Sequence, residues 1–248
     1  MGVKRLLKFL TDGCESLSDV REVQRGSNVL FDSNAFFMEL NTEVERRIVA
    51  SPQANMSRNV YNVADIVGGD LQPFRSALTH LISRLMSVFG VTPIFAVDGP
   101  QGVLQGDTAR EAKWAARESQ RKSEQAALEN GAARPPQQQR ERPLMFSLQA
   151  YATLASLGVT VVQLDDEVDR YIGALVHRHN ITVAVTNDTD FVVIPDIPTV
   201  LLQHQFPWGA LLDGWSPPFL DDATSTALPA GAPGRPKTLT LRVFTMEA

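Results

Sequence analysis

Residues 181–190 read Ile181-Thr182-Val183-Ala184-Val185-Thr186-Asn187-Asp188-Thr189-Asp190. The first five form a continuous, largely apolar and β-branched run. That is too apolar for a strand with one face in water, so it predicts a central strand covered on both sides. The run stops against Asn187, and Asp188 and Asp190 follow it at the carboxyl end. The same grammar recurs upstream. Val159 to Val162 reads as a strand after a helix closed by Gly158, and Asp166-Glu167-Val168-Asp169 follows, with Glu167 and Asp169 opening the next helix. Val91 to Val97 is another strand, ending at Asp98-Gly99. Before it, Leu71, Phe74, Leu78, Leu81, Ile82, Leu85 and Phe89 recur at helical spacing from Asp70 to Phe89, and Gly90 stops that helix. Val29-Leu30-Phe31 ends in Asp32-Ser33-Asn34, a good helix start, and Val200-Leu201-Leu202 is a further strand. Strands and helices in alternation predict an α/β fold with a mostly parallel central sheet flanked by helices.

Two regions differ from this core. Gly106 to Pro143 is rich in charge, Gln and Ala, contains Pro135-Pro136-Gln137-Gln138-Gln139, and reads as a projecting helix followed by a flexible connector. Pro217 to Pro236 is rich in Pro, Ala, Ser, Thr and Gly and reads as a loop or tether, after which Thr238 to Phe244 alternates like a strand returning to the sheet edge. The expected division is a core over 1–208, with the insertion at about 106–143, and a Pro/Ala-rich tail over 209–248.

Bulk properties bound the reading. At 248 residues and 44% hydrophobic the chain can bury a large single core. The opening Leu6, Leu7, Phe9 and Leu10 form a short amphipathic turn interrupted by Lys4, Arg5 and Lys8, without the long apolar stretch of a secretory signal or a membrane span. A net charge of −5 argues against a simple nucleic-acid-coating protein, although an acidic total leaves room for a local basic surface. One cysteine, Cys14, excludes an internal disulfide and a cysteine-based zinc site, and fits a reducing intracellular compartment. There is no GxGxxG and no P-loop lysine, so nucleotide-cofactor readings are weak. His80, His177, His179 and His204 are scattered; His177 and His179 suit the end of a helix better than a metal.

The acids carry the chemistry. In an open parallel sheet Asp32, Asp98, Glu167, Asp169, Asp188 and Asp190 all gather at the carboxyl edge, the crevice where such folds bind ligands. Like charges in one crevice repel unless cations neutralise them. Mg2+ and Mn2+ prefer oxygen ligands and suit such a set. Any one of these acids is equally well explained as a helix cap or a loop residue. An acid at each of the four junctions is a more specific pattern.

These residues resemble a known family, the XPG and flap-endonuclease-like nucleases with a PIN-like domain. Met1 to Leu10 resembles their opening, Val29 to Asn34 their first catalytic strand, and Pro93 to Gly99 their second. Asp166-Glu167-Val168-Asp169 resembles the acidic pair after the third, with Asp169 where the Asteroid branch carries aspartate. Asn187 to Phe191 resembles the Asp-x-Asp after the fourth, and His204-Gln205-Phe206-Pro207-Trp208 is similar to the Asteroid His-aromatic-Trp element. The resemblance implies a metal-dependent nuclease, with these acids as ligands to two Mg2+ or Mn2+ ions. It also implies a helical arch after the second strand, DNA or RNA as substrate, a place in DNA repair, and the nucleus as compartment. It assigns nucleic-acid contacts to Gly2 and Lys4. On the arch, Arg110, Lys113, Arg117 and Arg121 stand at i, i+3, i+7 and i+11, one basic helix face, with Glu111 and Glu118 on another. The alternative for that face is a solvated surface helix tied by i,i+4 pairs.

The chain also departs from the family. Gln105 stands where flap endonucleases carry an early basic residue, and nothing after Trp208 resembles their duplex-gripping helix–hairpin–helix. Asp213 reads as a plain turn. Trp208 and Trp215, with Pro217-Pro218-Phe219, either dock a partner or pack on the core. Two function classes therefore stand: a nuclease acting on structured or single-stranded nucleic acid, and a nuclease-derived scaffold binding nucleic acid or a protein partner through its C-terminal tail.

Overall fold

The computed structural model describes residues 18–50, 71–99, 108–130, 146–188, 191–192, 194, 197, 199–202, 205–218 and 239–244. Gly2, Lys4, Cys14, Gln105, Asp190 and His204 lie outside them. The strands are β1 (Ser18–Val23), β2 (Asn28–Asp32), β3 (Thr92–Val97), β4 (Thr160–Gln163), β5 (Ile181–Thr186), β6 (Val200–Leu202) and β7 (Leu239–Phe244). The helices are α1 (Ser33–Ala50), α2 (Gln72–Ser87), α3 (Thr108–Glu129), α4 (Phe146–Ser156), α5 (Ile172–His179) and α6 (Trp208–Leu211), with a 3-10 turn at Val168–Arg170.

The strands form one seven-stranded sheet in the order β1-β7-β6-β5-β2-β3-β4. From β6 to β4 every neighbouring pair is parallel. The fold is α/β with a mostly parallel sheet. The chain winds outward from β2 through β3 to β4, then returns to lay β5 on the other side of β2. Strand order thus reverses between β2 and β5, the place where open parallel sheets form a crevice at their carboxyl ends.

Burial on both faces explains the apolar strands. Val29 and Phe31 of β2, Phe95 of β3, Val183 and Val185 of β5, and Leu201 of β6 join one core with α1, α2, α4 and α6. The alternate residues Leu30, Ile94, Ala96, Ala184, Val200 and Leu202 join a second core with the 3-10 turn and α5. The two sets follow the period of two along each strand. The first core is aromatic: Phe95 stacks on Phe31 at 4.9 Å and on Phe37 at 5.6 Å between ring centroids, and Phe36 meets Phe31 edge-on at 4.8 Å. This block lies directly beneath Asp32 and the first turns of α1, and so stiffens the end of β2.

Trp208 and Trp215 pack on the core. Trp208 lies against Phe36 and Phe206, and buried Trp215 donates from Nε1 to Ser76 Oγ at 3.1 Å. The carbonyls that end α6 are met by donors from α1 and α2: Arg47 to Leu212 O (2.8 Å), Arg84 to Ala210 O (3.1 Å), and His80 Nε2 to Asp213 O (3.1 Å). Burial, as the leading cause, lowers the His80 pKa. The Asp213 side chain is exposed in its turn, as its sequence context predicts.

Two elements differ from expectation. Glu167 and Asp169 precede α5 rather than open it, because Tyr171 (φ −113°, ψ −1°) separates the 3-10 turn from the helix. Thr238 to Phe244 does form a strand, but β7 is not the outermost: β1 covers it through antiparallel pairs from Ser18↔Phe244 to Val23↔Leu239. Among the described residues β7 pairs with β6 in register at Val200↔Phe244.

Candidate metal and nucleic-acid site

Asp32 is the last residue of β2 and the residue before α1. Its Oδ1 accepts the Ala35 N–H at 3.4 Å, an N-cap contact, which satisfies the structural explanation of this acid. Its other oxygen accepts from Thr186 Oγ, at the end of β5, at 3.1 Å. The carboxyl is nonetheless costly to ionise. Burial first, and the Asp98 charge second, push its pKa up, against the lowering effect of donors on Ala35, Thr186 and Asn34.

Asp98 follows β3 and is held from two elements. Asn34 Nδ2 donates to its Oδ2 at 2.9 Å, and the Val168 N–H donates to its Oδ1 at 2.9 Å. Gly99 makes this geometry possible: its N–H donates to Asp166 O at 2.8 Å, and a Cβ there would overlap the backbone of Leu164 and Asp165. The turn carrying Glu167 and Asp169 is thereby pinned beside Asp98. Glu167 is half-buried in extended backbone (φ −64°, ψ 143°). Asp169 has a buried Oδ1 with no hydrogen-bond partner.

Asp188 joins through Thr186. The Thr186 hydroxyl donates to Asp32 and accepts the Asp188 N–H at 3.0 Å, with the threonine itself fully buried. Asn187 donates to Glu39 of α1 at 3.4 Å. Thr186→Val keeps the shape but leaves the Asp188 N–H and an Asp32 oxygen without this partner. A loss of about 1–3 kcal/mol of stability is expected, read from urea unfolding. An unchanged midpoint would show that the hydroxyl ties nothing.

Five of the acids singled out in the sequence thus stand at the carboxyl edge: Asp32 and Asp98 interact directly, and Glu167, Asp169 and Asp188 sit on segments hydrogen-bonded to that pair. Among the described residues no three His, Cys, Asp or Glu side chains stand close enough together to hold one metal ion. The donors fit a hard divalent cation in kind. All are carboxylate oxygens, one acid is strained by its neighbour's charge, and one buried oxygen lacks a donor. The sequence pattern does not single out the polar partners Asn34, Thr186 and Glu39. Asn34 and Thr186 each lie two positions from a quoted acid, Asp32 and Asp188, which is the signal that points to them.

On α3, Arg117 is exposed, and Lys122 pairs with Glu118 at 3.5 Å, an i,i+4 contact with both side chains largely in water. Arg110, Lys113 and Arg121 share this helix by backbone position. Among the described residues no helix is long and apolar enough to cross a membrane.

Compared with known proteins, the chain matches no family model and no curated protein. Solved structures similar to it include the catalytic core of Rad2 in complex with a DNA substrate (12% identity, TM-score 0.44), where the match covers 91% of this chain and 51% of that one. Human GEN1 in complex with Holliday junction DNA is 14% identical with a TM-score of 0.45, over 99% of this chain and 44% of that one. GEN1 in complex with product DNA and a Mg2+ ion is 12% identical with a TM-score of 0.45, over 98% and 40%. The chain spans about half the length of these structures or less.

Proposed function

We propose that this chain is a divalent-cation-dependent nuclease of the XPG and flap-endonuclease kind, nearest the Asteroid branch, acting in the nucleus on structured or single-stranded DNA or RNA. The observation that carries this reading is the Asp32–Asp98 pair. Two carboxylates share the carboxyl edge of the neighbouring strands β2 and β3, next to the reversal of strand order, and burial together with the Asp98 charge raises the Asp32 pKa.

Asp32, Asp98, Glu167, Asp169, Asp188 and Asp190 would hold Mg2+ or Mn2+. A bound ion pair would supply an activated water and stabilise the leaving oxygen of a phosphodiester. The protein's own part is to fix the carboxylates through Thr186, Asn34 and the Val168 N–H. Arg110, Lys113, Arg117 and Arg121 of α3, with Lys4, would draw in the phosphate backbone electrostatically, and Gly2 would offer it a main-chain contact.

The test is cleavage of labelled single-stranded, flapped and overhanging DNA and RNA with Mg2+ or Mn2+, repeated with the metal chelated. Cutting that needs the metal supports the reading and shows which nucleic acid is preferred. Binding without cutting of any substrate would overturn it in favour of a scaffold that holds nucleic acid or a protein partner.

A further inference from the structure

We infer that Asn34 is a positioning residue that grips both carboxylates of the pair, Asp32 through its backbone and Asp98 through its side chain, and so sets how they face a shared divalent cation. The inference rests on the cation-holding reading above. Asn34 is the second residue of α1, and its main-chain N–H is among the donors to Asp32. Its amide crosses to β3's end and donates to Asp98 Oδ2 at 2.9 Å. One short side chain therefore links the ends of two parallel strands that are neighbours in the sheet.

Asp98 needs that grip. It lies just beyond β3, and its carboxyl orientation is set by Asn34 on one oxygen and by the Val168 N–H on the other. Without the amide, Oδ2 is free to turn away from Asp32, and repulsion between the two acids favours that turn.

The residue type also matters. Lys or Arg would donate equally well but would place a fixed cation where a divalent ion must sit. Asp would match the shape but offers no donor when ionised and adds a third like charge. A neutral amide holds Asp98 and leaves the negative charge of the pair intact. Partners that orient a metal's ligands in this way typically change metal affinity by about tenfold to a hundredfold when removed.

The experiment is Mn2+ binding to the full chain, read from the loss of the free-Mn2+ electron paramagnetic resonance signal, for wild type, Asn34→Leu, Asn34→Ala and Asn34→Ser. Leu keeps the branching and removes the donor. Ala removes the donor with no steric demand, and decides the matter where Leu does not fold. Ser restores a hydroxyl donor. The expected result is wild-type binding, an affinity lowered about tenfold or more in Leu and Ala, and partial recovery in Ser. Unfolding midpoints without metal should stay close to wild type, because the contact serves orientation more than packing. Wild-type affinity in Leu or Ala overturns the role of Asn34 alone. Absence of Mn2+ binding by the wild-type chain overturns the cation-holding reading, and this role with it.

Discussion

Asp32→Asn is expected to abolish metal-dependent cleavage while making the folded chain harder to unfold at neutral pH. Asn caps a helix about as well as Asp, so the Ala35 contact at the start of α1 survives, and the shape beside Phe31 is unchanged. What disappears is a negative charge that the fold holds at a cost. Because burial and the Asp98 charge raise the folded-state pKa of Asp32 above its unfolded value, the neutral form favours folding and the ionised form opposes it. That opposition is full above the folded-state pKa and fades as pH falls below it toward the unfolded value. The gain in midpoint from Asp32→Asn should therefore be largest at neutral pH and shrink on acidification. Added Mg2+ or Mn2+ should stabilise the wild type, by about 2.7 kcal/mol at a hundredfold excess over Kd, and the variant much less. On the proposed function, removing an acid that would hold a cation at the reacting phosphate forfeits several kcal/mol of transition-state stabilisation, about a thousandfold or more in rate. Retained cleavage in Asp32→Asn would remove the acid from the mechanism. A lowered midpoint at neutral pH would show that its hydrogen bonds outweigh its charge.

This opposition of stability and charge explains why part of the site was legible in the sequence and part was not. Asp32, Asp98 and Asp188 announced themselves because each ends a run whose burial pattern is unmistakable: apolar residues alternating between two covered faces leave the strand register, and hence its carboxyl end, little freedom. The central place of β5 follows from Ile181 to Val185 alone, since Val183 and Val185 bury in one core and Ala184 in the other, with β2 and β6 on its two edges. By contrast β1, with Asp19, Arg21 and Glu22 in a six-residue strand, carries no such pattern. It is a strand because β7, more than two hundred positions away in the chain, supplies its hydrogen-bond partners. The 3-10 turn at Val168–Arg170 reads from sequence as the start of α5 for a similar reason. A helical pattern is visible locally, but the break at Tyr171 follows from how the turn is pinned to Asp98 and Gly99 across the sheet. Asn34 and Thr186 were in plain view as residue types; what singles them out is a pair of distances, 2.9 and 3.1 Å, that no spacing rule encodes. The roles of Trp208 and Trp215 likewise needed the fold, because an apolar ring near a Pro-rich segment suits a core and an interface equally.

Gly99→Ala is expected to be among the most damaging single changes to stability, and for a reason unrelated to backbone flexibility. The added Cβ would meet the backbone of Leu164 and Asp165, atoms that cannot swing aside as a side-chain tip can. Nor can the two segments separate easily: the Gly99 N–H to Asp166 O bond at 2.8 Å and the Leu164 N–H to Val97 O bond at 3.0 Å clamp the ends of β3 and β4 together. Overpacking of this kind costs about 1–3 kcal/mol and more where the backbone must move; with backbone on both sides, about 3 kcal/mol is expected from urea unfolding. Gly158→Ala separates the steric cause from a conformational one. Gly158 has φ +70° and open space around its missing Cβ, so only the left-handed backbone is penalised, at about 1 kcal/mol. Equal losses at the two glycines would refute the clash. The damage at Gly99 should also reach the site, because the segment forced outward carries the Val168 N–H that holds Asp98, together with Glu167 and Asp169. Mn2+ affinity in whatever fraction remains folded should therefore fall with Gly99→Ala and stay unchanged with Gly158→Ala. The close approach that only glycine permits is thus what lets two neighbouring strands present their acids to one crevice.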